Sequence, residues 1–156
     1  MKPKYKQIAR QQLDATLARF DEIRKVQIPQ KGWIRAVRDA LGMSGKQLAL
    51  RLQVSQPRVF KLEQGEPSGA LTLKTMRQVA EALDCVFVYA LVPRSTLEET
   101  VRTQARVVAG ERLHRVSHTM LLEAQGLAMQ EQQASLDGAI EELVRETPKD
   151  LWDIKS

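Results

Sequence analysis

The 156-residue sequence has one cysteine, few aromatic residues and no long apolar run. Its apolar runs fall well short of the roughly 20 residues that a membrane-spanning helix needs. The single cysteine, Cys85, excludes an internal disulfide and is typical of a reducing compartment. No apolar signal core follows the basic amino terminus. The sequence therefore predicts a cytoplasmic protein that makes no use of a membrane.

The sequence also lacks the motifs of common enzymes, such as a glycine-rich phosphate loop or a nucleophile elbow. Glu111, His114 and His118 share a helical spacing, but the zincin pattern fails because Arg115 replaces its glutamate. A di-iron bundle needs two E-x-x-H copies, and one is present. Cys85 has no nearby histidine, which favours a buried structural thiol over a nucleophile. We expect no enzymatic activity, no metal and no cofactor.

Charge is distributed unevenly along the chain. Residues 1–93 hold 16 Lys and Arg against 8 Asp and Glu, a net charge of +8. Residues 94–156 hold 8 against 11, a net charge of −3. A basic segment can be an ordinary solvated surface, but beside a recognition helix it is typical of DNA binding.

Residues 41–65 have the pattern of two short helices joined by a tight turn. Ser44 is placed to cap the first helix, with Gln47 as its reciprocal partner in a capping box. Ser55 is placed to cap the second helix, and Gly65 is a suitable residue at its end. The second helix is apolar on one side and polar and basic on the other. This pattern predicts a helix-turn-helix whose second helix lies in the DNA major groove.

The direction of each side chain suggests its role on DNA. Gln56 is suited to adenine, Lys61 to a base or a phosphate, and Arg58 to a phosphate. Phe60 has two alternatives, contact with a thymine methyl group or packing at the core edge. The amides that begin the preceding helix suit a phosphate oxygen. The predicted DNA-binding residues are Ser44, Gly45, Lys46, Ser55, Gln56, Pro57, Arg58, Phe60 and Lys61.

This stretch resembles the Cro/C1-type repressor domain, which has the lambda-repressor-like fold. The resemblance is carried by residues 47–49 (Gln-Leu-Ala), residues 54–59 (Val-Ser-Gln-Pro-Arg-Val), Leu62, Glu63 and Gly65. It implies four to five short helices around one small core over residues 33–83. It also implies sequence-specific binding to double-stranded DNA, as a dimer on an inverted repeat.

A wider run, from Gly32-Trp33-Ile34-Arg35 through residues 85–93, resembles the group called mobile mystery protein A. Members resemble antitoxins and are typically encoded beside a Fic-domain protein, so the resemblance implies an antitoxin-like repressor of its own operon with a Fic-domain partner. The helix that inhibits Fic enzymes follows [ST]-x-x-x-E-[GN]. Residues 95–99 fit its first five positions, but Thr100 stands where Gly or Asn belongs. This departure weighs against direct inhibition of an active site.

After residue 85 the helical period gives way to seven apolar residues that end before Pro93. Their β-branched and aromatic types favour a strand. A lone strand cannot satisfy its own backbone groups, so we expect it to pair with the same strand of a second copy. The alternative is a buried extended segment packed on helices. The predicted dimerisation residues are Val86, Phe87, Val88, Tyr89, Ala90, Leu91 and Val92.

Both flanks are predicted to be helical. Residues 4–27 carry an apolar stripe formed by Tyr5, Ile8, Leu13, Leu17, Phe20 and Ile23. We expect either a packing helix with a solvated basic face or an arm that touches DNA phosphates or a second subunit. Ser95 and Glu98 form a capping-box pattern that opens a long helix, and a second helix covers residues 136–144. The predicted apolar stripe of the long helix is formed by Leu97, Val101, Ala105, Val108, Val116, Met120, Ala124 and Leu127.

The sequence thus predicts a mainly α protein. Its predicted parts are an N-terminal helix (1–29), a helix-turn-helix domain (30–85), a dimerisation strand (86–93) and a C-terminal helical extension (94–156). The predicted function is that of a dimeric transcriptional repressor. The alternative is a protein-interaction module that restrains a partner enzyme, with DNA binding secondary.

Overall fold

The computed structural model describes residues 2–121 and 129–153, except for the side chains of 117–121. The described residues form helices and no strand. The α-helices are α1 (Pro3–Leu17), α2 (Trp33–Ala40), α3 (Gly45–Leu52), α4 (Gln56–Gly65), α5 (Leu73–Ala82), α6 (Leu97–Leu121) and α7 (Met129–Glu146). Short 3-10 helices lie at Ala18–Phe20, Ile23–Lys25 and Lys149–Trp152. None of the described helices is long and apolar enough to cross a membrane.

The chain divides into two compact units. The central unit is Glu22–Ala90, and the terminal unit combines Met1–Asp21 with Leu91–Ser156. In the central unit, α2 to α5 enclose one apolar core, because each helix has apolar residues at three- and four-residue steps. The buried members of this core are Ile34, Leu48, Ala49, Val59, Leu62, Val79 and Leu83.

Local capping signals in the central unit are largely confirmed. The Ser44 hydroxyl accepts from the Gln47 amide at 3.2 Å, and the Ser44 amide donates to the Gln47 side chain at 2.7 Å. Thr72 likewise caps α5, accepting from the Thr75 amide at 3.1 Å. Ser55 occupies the position before α4, but its side chain makes no capping hydrogen bond. The start of α3 is therefore fixed by local chemistry alone.

A second cap joins residues that are far apart in sequence. The Glu66 carboxylate accepts from the amides of Trp33 and Ile34, at 2.7 and 2.8 Å. A negative charge at this position also complements the positive end of the dipole of α2. Gly32 precedes α2 with a φ of 80°, and a Cβ there would lie 2.7 Å from a Glu66 oxygen. Gly32 therefore provides both the left-handed backbone and the space for this carboxylate.

The predicted dimerising strand is wrong. Residues 86–92 have no regular secondary structure, and no described segment of the chain pairs with them as a strand. The alternative of a buried segment is also wrong, because Val86, Val88 and Leu91 are 86%, 67% and 93% exposed. Apolar, β-branched composition favours a strand only where a partner satisfies the backbone groups, and this fold supplies none in the described residues.

Side chains, not backbone pairing, organise part of this segment. The rings of Phe87 and Tyr89 stack with centroids 5.8 Å apart. The Arg77 guanidinium lies 5.6 Å from the Tyr89 ring centre and donates to the Tyr89 hydroxyl at 3.3 Å. Cys85 is exposed, so the prediction of a buried thiol is also wrong. The residue lies just after the left-handed Asp84, beyond the last turn of α5.

In the terminal unit, α6 and α7 pack along each other and against the 3-10 helix Lys149–Trp152. The buried core is formed by Val101, Ala105, Val108, Ala109, Ile140, Leu143, Val144 and Leu151. The helical periods of residues 97–108 and 136–144 predicted most of this set. Val116, assigned to the same stripe, is 51% exposed. The side chains of His118, Met120, Ala124 and Leu127 lie outside the described residues.

The predicted capping box at Ser95 and Glu98 is wrong, because α6 begins two residues later, at Leu97. The Asp14 carboxylate of α1 accepts from the amides of Leu97 and Glu98, at 2.7 and 3.1 Å. Thr96 accepts from the amide three residues on, at 3.0 Å. Thr96 and the distant Asp14, more than eighty positions away, thus share the capping role that local sequence assigned to Ser95.

The predicted packing side of α1 is also wrong. Tyr5, Ile8 and Leu13 are 61%, 39% and 48% exposed. The side of α1 that packs carries Lys6, Arg10 and Asp14, together with the half-buried Leu17 of the predicted stripe. Charged hydrogen bonds to α6 and to the end of α7 therefore decide the rotation of α1.

Leu48→Ala should destabilise the central unit by about 2–5 kcal/mol, because it opens a cavity at a fully buried position. Leu50→Ala removes the same atoms from the same helix, but Leu50 is 71% exposed, so we expect a change within about 0.5 kcal/mol. Urea unfolding followed by circular dichroism measures both free energies of unfolding. Equal effects of the two substitutions would contradict the packing of α3 described here.

Candidate nucleic-acid interface

The turn between α3 and α4 is built from residues 53–55. Gln53 ends α3 in the left-handed region with a φ of 56°, and the Val54 amide donates to the Ala49 carbonyl at 3.0 Å. This is a helix-terminating arrangement that more often uses glycine, and a residue other than glycine needs support from its surroundings to adopt it. Ser55 then precedes α4, and Pro57 lies in the first turn, where its missing amide costs no hydrogen bond.

The two sides of α4 differ sharply. Val59, Leu62 and Glu63 are buried, and all three face the core of the central unit. The exposed residues of α4 are Gln56, Pro57, Arg58, Phe60, Lys61 and Gln64. Among the residues that the structure describes, none forms a hydrogen bond or an ion pair with the side chains of Gln56, Arg58 and Lys61. These polar groups are therefore free to meet base edges and phosphates.

The other predicted DNA-binding residues lie at the starts of α3 and α4. Lys46 is exposed in the first turn of α3, whereas Gly45 is half-buried. Ser44 is exposed, but its hydroxyl already caps α3 and accepts from the Gln47 amide. Ser55 and Pro57 are both exposed at the start of α4. The predicted residues thus occupy two neighbouring helix starts and the exposed side of α4.

Phe60 is 55% exposed on α4, although it is a large apolar residue. It lines a shallow pocket together with Lys31 and Arg35 from the region of α2 and Gln64 from α4. Sequence reasoning identified Phe60 but did not place cations beside it. An apolar ring beside cations suits a nucleic-acid backbone and a base methyl group.

A buried ion pair holds α4 against α2. Arg38 donates through Nε and Nη2 to the two Glu63 oxygens, at 2.5 and 3.2 Å. Their side chains are 12% and 8% exposed. The hydrogen bond from Arg38 to Glu63 is the main cause that raises the pKa of the Arg38 guanidinium. Arg38 also donates to the Met43 carbonyl at 2.8 Å and contacts Asp39 at 2.7 Å.

Arg38 and Glu63 are two residues that the sequence analysis did not assign to the site. An arginine on the first helix of this domain could in principle bind a phosphate, but the Arg38 guanidinium is occupied by three protein partners. A signal was available. Arg38 follows Ile34 by four positions, and Glu63 follows Val59 by four, so each charged residue lies on the inward side of its helix. Two opposite charges on the inward sides of neighbouring helices are expected to form an ion pair.

Glu63→Gln should destabilise the protein by about 1–3 kcal/mol, because it leaves a nearly buried guanidinium without its charged partner. Arg38 keeps Asp39 and the Met43 carbonyl, which limits the loss. The matched control is Glu81→Gln, the same change at an exposed position of α5, with an expected change within about 0.5 kcal/mol. Urea unfolding measures both. A Glu63→Gln protein as stable as the Glu81→Gln control would show that the pair does not hold α4.

Comparison with known families agrees with this geometry. The helix-turn-helix family model HTH_3 matches residues 34–87, which covers α2 to α5 and the first residues after them. A search of curated proteins and a search of solved structures found no match to the chain. The matched family is the Cro/C1 type, so the resemblance carried by residues 47–65 is confirmed at this level. Residues 34–87 match a helix-turn-helix family of the Cro/C1 type, and this match supports a DNA-binding transcription regulator.

Proposed function

We propose that this protein is a sequence-specific transcriptional repressor that inserts α4 into the major groove of double-stranded DNA. One observation carries the proposal: α4 is fixed by its buried side and presents unpaired polar side chains on its exposed side. The net charge of +8 over residues 1–93 supports it, since a cationic surface attracts the phosphate backbone. A repressor of this kind acts by occupying its operator, and autoregulation follows if the operator lies upstream of its own gene.

In this proposal, Gln56 and Lys61 recognise bases. Gln56 is the first residue of α4, and Lys61 lies further along its exposed side. A glutamine pairs with adenine through two hydrogen bonds, and a lysine pairs with guanine acceptors. Arg58 serves as a phosphate ligand, together with the start of α3 at residues 44–46. Phe60 completes the surface by contact with a thymine methyl group.

Gln56→Ala and Lys61→Ala should each weaken operator binding by about 1–3 kcal/mol and relax selectivity at one base pair. Arg58→Ala should weaken operator and random DNA almost equally, because a phosphate contact carries no base information. Gel-shift titrations on the upstream region at several salt concentrations separate the two effects.

The control for these variants is Lys149→Ala, which removes one exposed lysine from the terminal unit. We expect it to leave operator affinity within about twofold, since it lies outside the helix-turn-helix and an exposed charge there is screened by salt. Unchanged operator affinity in a Gln56→Ala, Lys61→Ala double variant would overturn the assignment of α4 as the reading helix.

The proposed repressor is a homodimer. Helix-turn-helix repressors combine two recognition helices on half-sites about 10 bp apart, which matches an inverted-repeat operator. The contact surface we propose is the apolar side-chain patch of residues 86–92, without strand pairing. Val86, Val88 and Leu91 are mostly exposed, and Tyr89 is 58% exposed. Such a concentration of exposed apolar side chains is typical of a surface that another chain covers.

A Val86→Glu, Val88→Glu double variant should be monomeric, because two carboxylates would lose their hydration in an apolar contact. The matched control is Val107→Glu, which places a carboxylate at an apolar residue of α6 that is 51% exposed. Sedimentation velocity at micromolar concentration measures the mass of each protein. A double variant that remains dimeric would place the interface elsewhere, and a monomeric unmodified protein would remove the dimer altogether.

We further propose that the protein is the antitoxin-like member of a pair with a Fic-domain protein. The support is the resemblance of residues 32–35 and 85–93 to mobile mystery protein A. Because Thr100 departs from the inhibitory pattern, we propose that the protein restrains the Fic-domain partner without occupying its active site. The alternative function, a module that restrains a partner enzyme while DNA binding is secondary, draws specific support from the exposed apolar side of α1.

A further inference from the structure

Helix α1 is attached to the terminal unit by its charged side. Lys6 donates to the Thr147 carbonyl at 2.6 Å. Arg10 donates to the Glu98 carboxylate at 2.8 Å, to the Thr147 hydroxyl at 2.8 Å and to the Val144 carbonyl at 3.0 Å. The Asp14 carboxylate accepts from two amides at the start of α6.

The spacing of these residues explains why they act together. Positions 6, 10 and 14 recur every four residues, so they share one side of a helix. Their bonds are directional and end at the first turn of α6 and the last turn of α7, which fixes the rotation of α1 about its own axis. Side chains on the opposite side are therefore held away from the unit.

The side held outward is the apolar one. Tyr5 and Ile8 lie there with exposures of 61% and 39%, and Ala9 is also exposed. Leu13, 48% exposed, extends the stripe to the edge of the charged side, because it follows Ala9 by four residues and Lys6 by seven. A half-turn rotation would bury Tyr5 and Ile8 but would break the bonds of Lys6, Arg10 and Asp14. The fold thus keeps an apolar stripe exposed where simple hydrophobic burial would hide it, and such a surface is typical of a docking site.

The charges around the stripe define what it can bind. Lys2 and Lys4 are exposed at its beginning, and Arg19 is exposed just after its end. Within the part of the chain that the structure describes, their side chains form no hydrogen bond or ion pair. The one acid of α1, Asp14, is occupied at the start of α6. The exposed side of α1 is therefore apolar in the middle and positive at its beginning, with Arg19 just beyond its end.

We propose that the stripe formed by Tyr5, Ile8, Ala9 and Leu13 docks an acidic amphipathic helix of a partner protein. A helix of about 15 residues spans about 22 Å, the length of α1 itself. Its apolar side covers the stripe, and its carboxylates meet the lysines at one end and Arg19 at the other. The proposal goes beyond DNA binding and does not depend on it.

Other occupants fit less well. A second copy of α1 would bring exposed cations of the same sign together and supply no acid to meet them. A membrane surface prefers a broader apolar side rich in large residues, whereas Gln12 and Thr16 interrupt this one. Duplex DNA would satisfy the terminal cations and leave the apolar centre uncovered.

The test uses the full-length protein, labelled with ¹⁵N, and a synthetic amphipathic peptide as the probe. The peptide carries leucines at i, i+3, i+4 and i+7 and glutamates along the flanks. A second peptide replaces every glutamate with lysine and keeps the leucines. We expect the acidic peptide to bind, with amide shifts at Tyr5, Ile8 and Leu13, and the basic peptide to fail.

Ile8→Glu should lower the affinity for the acidic peptide by at least about tenfold, because it places a carboxylate in the centre of the contact. Gln11→Glu adds the same charge at an exposed position off the stripe and should change affinity by less than about threefold. Both variants should retain operator affinity in gel shifts, and this readout separates failure of the docking proposal from failure of the DNA-binding proposal.

Four outcomes would overturn the docking proposal. The first is equal binding of both peptides, and the second is a set of amide shifts away from α1. The third is shifts at Tyr5, Ile8 and Leu13 that depend on protein concentration without peptide, which assigns the stripe to a second copy. The fourth is that the acidic peptide does not bind, whereas vesicles of phosphatidylcholine and phosphatidylserine bind the unmodified protein but not the Ile8→Glu variant. This result would assign the stripe to a lipid surface.

Discussion

The buried pair of Arg38 and Glu63 is the interaction on which the placement of α4 depends. Removing two charges from water is costly, so such a pair is weak evidence for net stability. Its effect is on geometry, because any other rotation of α4 would leave the nearly buried Glu63 carboxylate without its charged partner. The bidentate contact, at 2.5 and 3.2 Å, sets α4 against α2, and the Met43 carbonyl ties the same guanidinium to the turn before α3. The exposed side of α4 follows from that constraint.

The same principle recurs in the terminal unit, where directional polar contacts override hydrophobic pattern. Arg10 and Asp14 bind the end of α7 and the start of α6, and their bonds determine which side of α1 packs. A carboxylate from a distant residue also begins α2, where Glu66 accepts from two amides. In each case a charged group satisfies backbone groups that a helix end leaves unpaired. These contacts position surfaces more than they fill cores.

The chain combines a helix, α4, whose exposed side is proposed to read DNA, with two exposed apolar surfaces. The helix-turn-helix domain supports DNA binding, as the family match over residues 34–87 indicates. The patch at residues 86–92 and the stripe on α1 are the sites where other chains are proposed to bind. A regulator that responds to a partner needs such surfaces outside its reading helix, so that protein contacts and DNA contacts do not compete for the same side chains.

Sequence alone determined the helix-turn-helix, because its signals are local. The capping box of Ser44 and Gln47 spans three residues, and apolar residues at helical spacing identified Leu48, Val59 and Leu62 as core. Only tertiary structure decided which side of α1 packs, which residue caps α6 and that residues 86–92 form no strand. Periodicity shows which side of a helix is apolar, but distant hydrogen bonds decide whether that side is buried. Likewise, composition favours a strand, but only a partner for its backbone groups makes one.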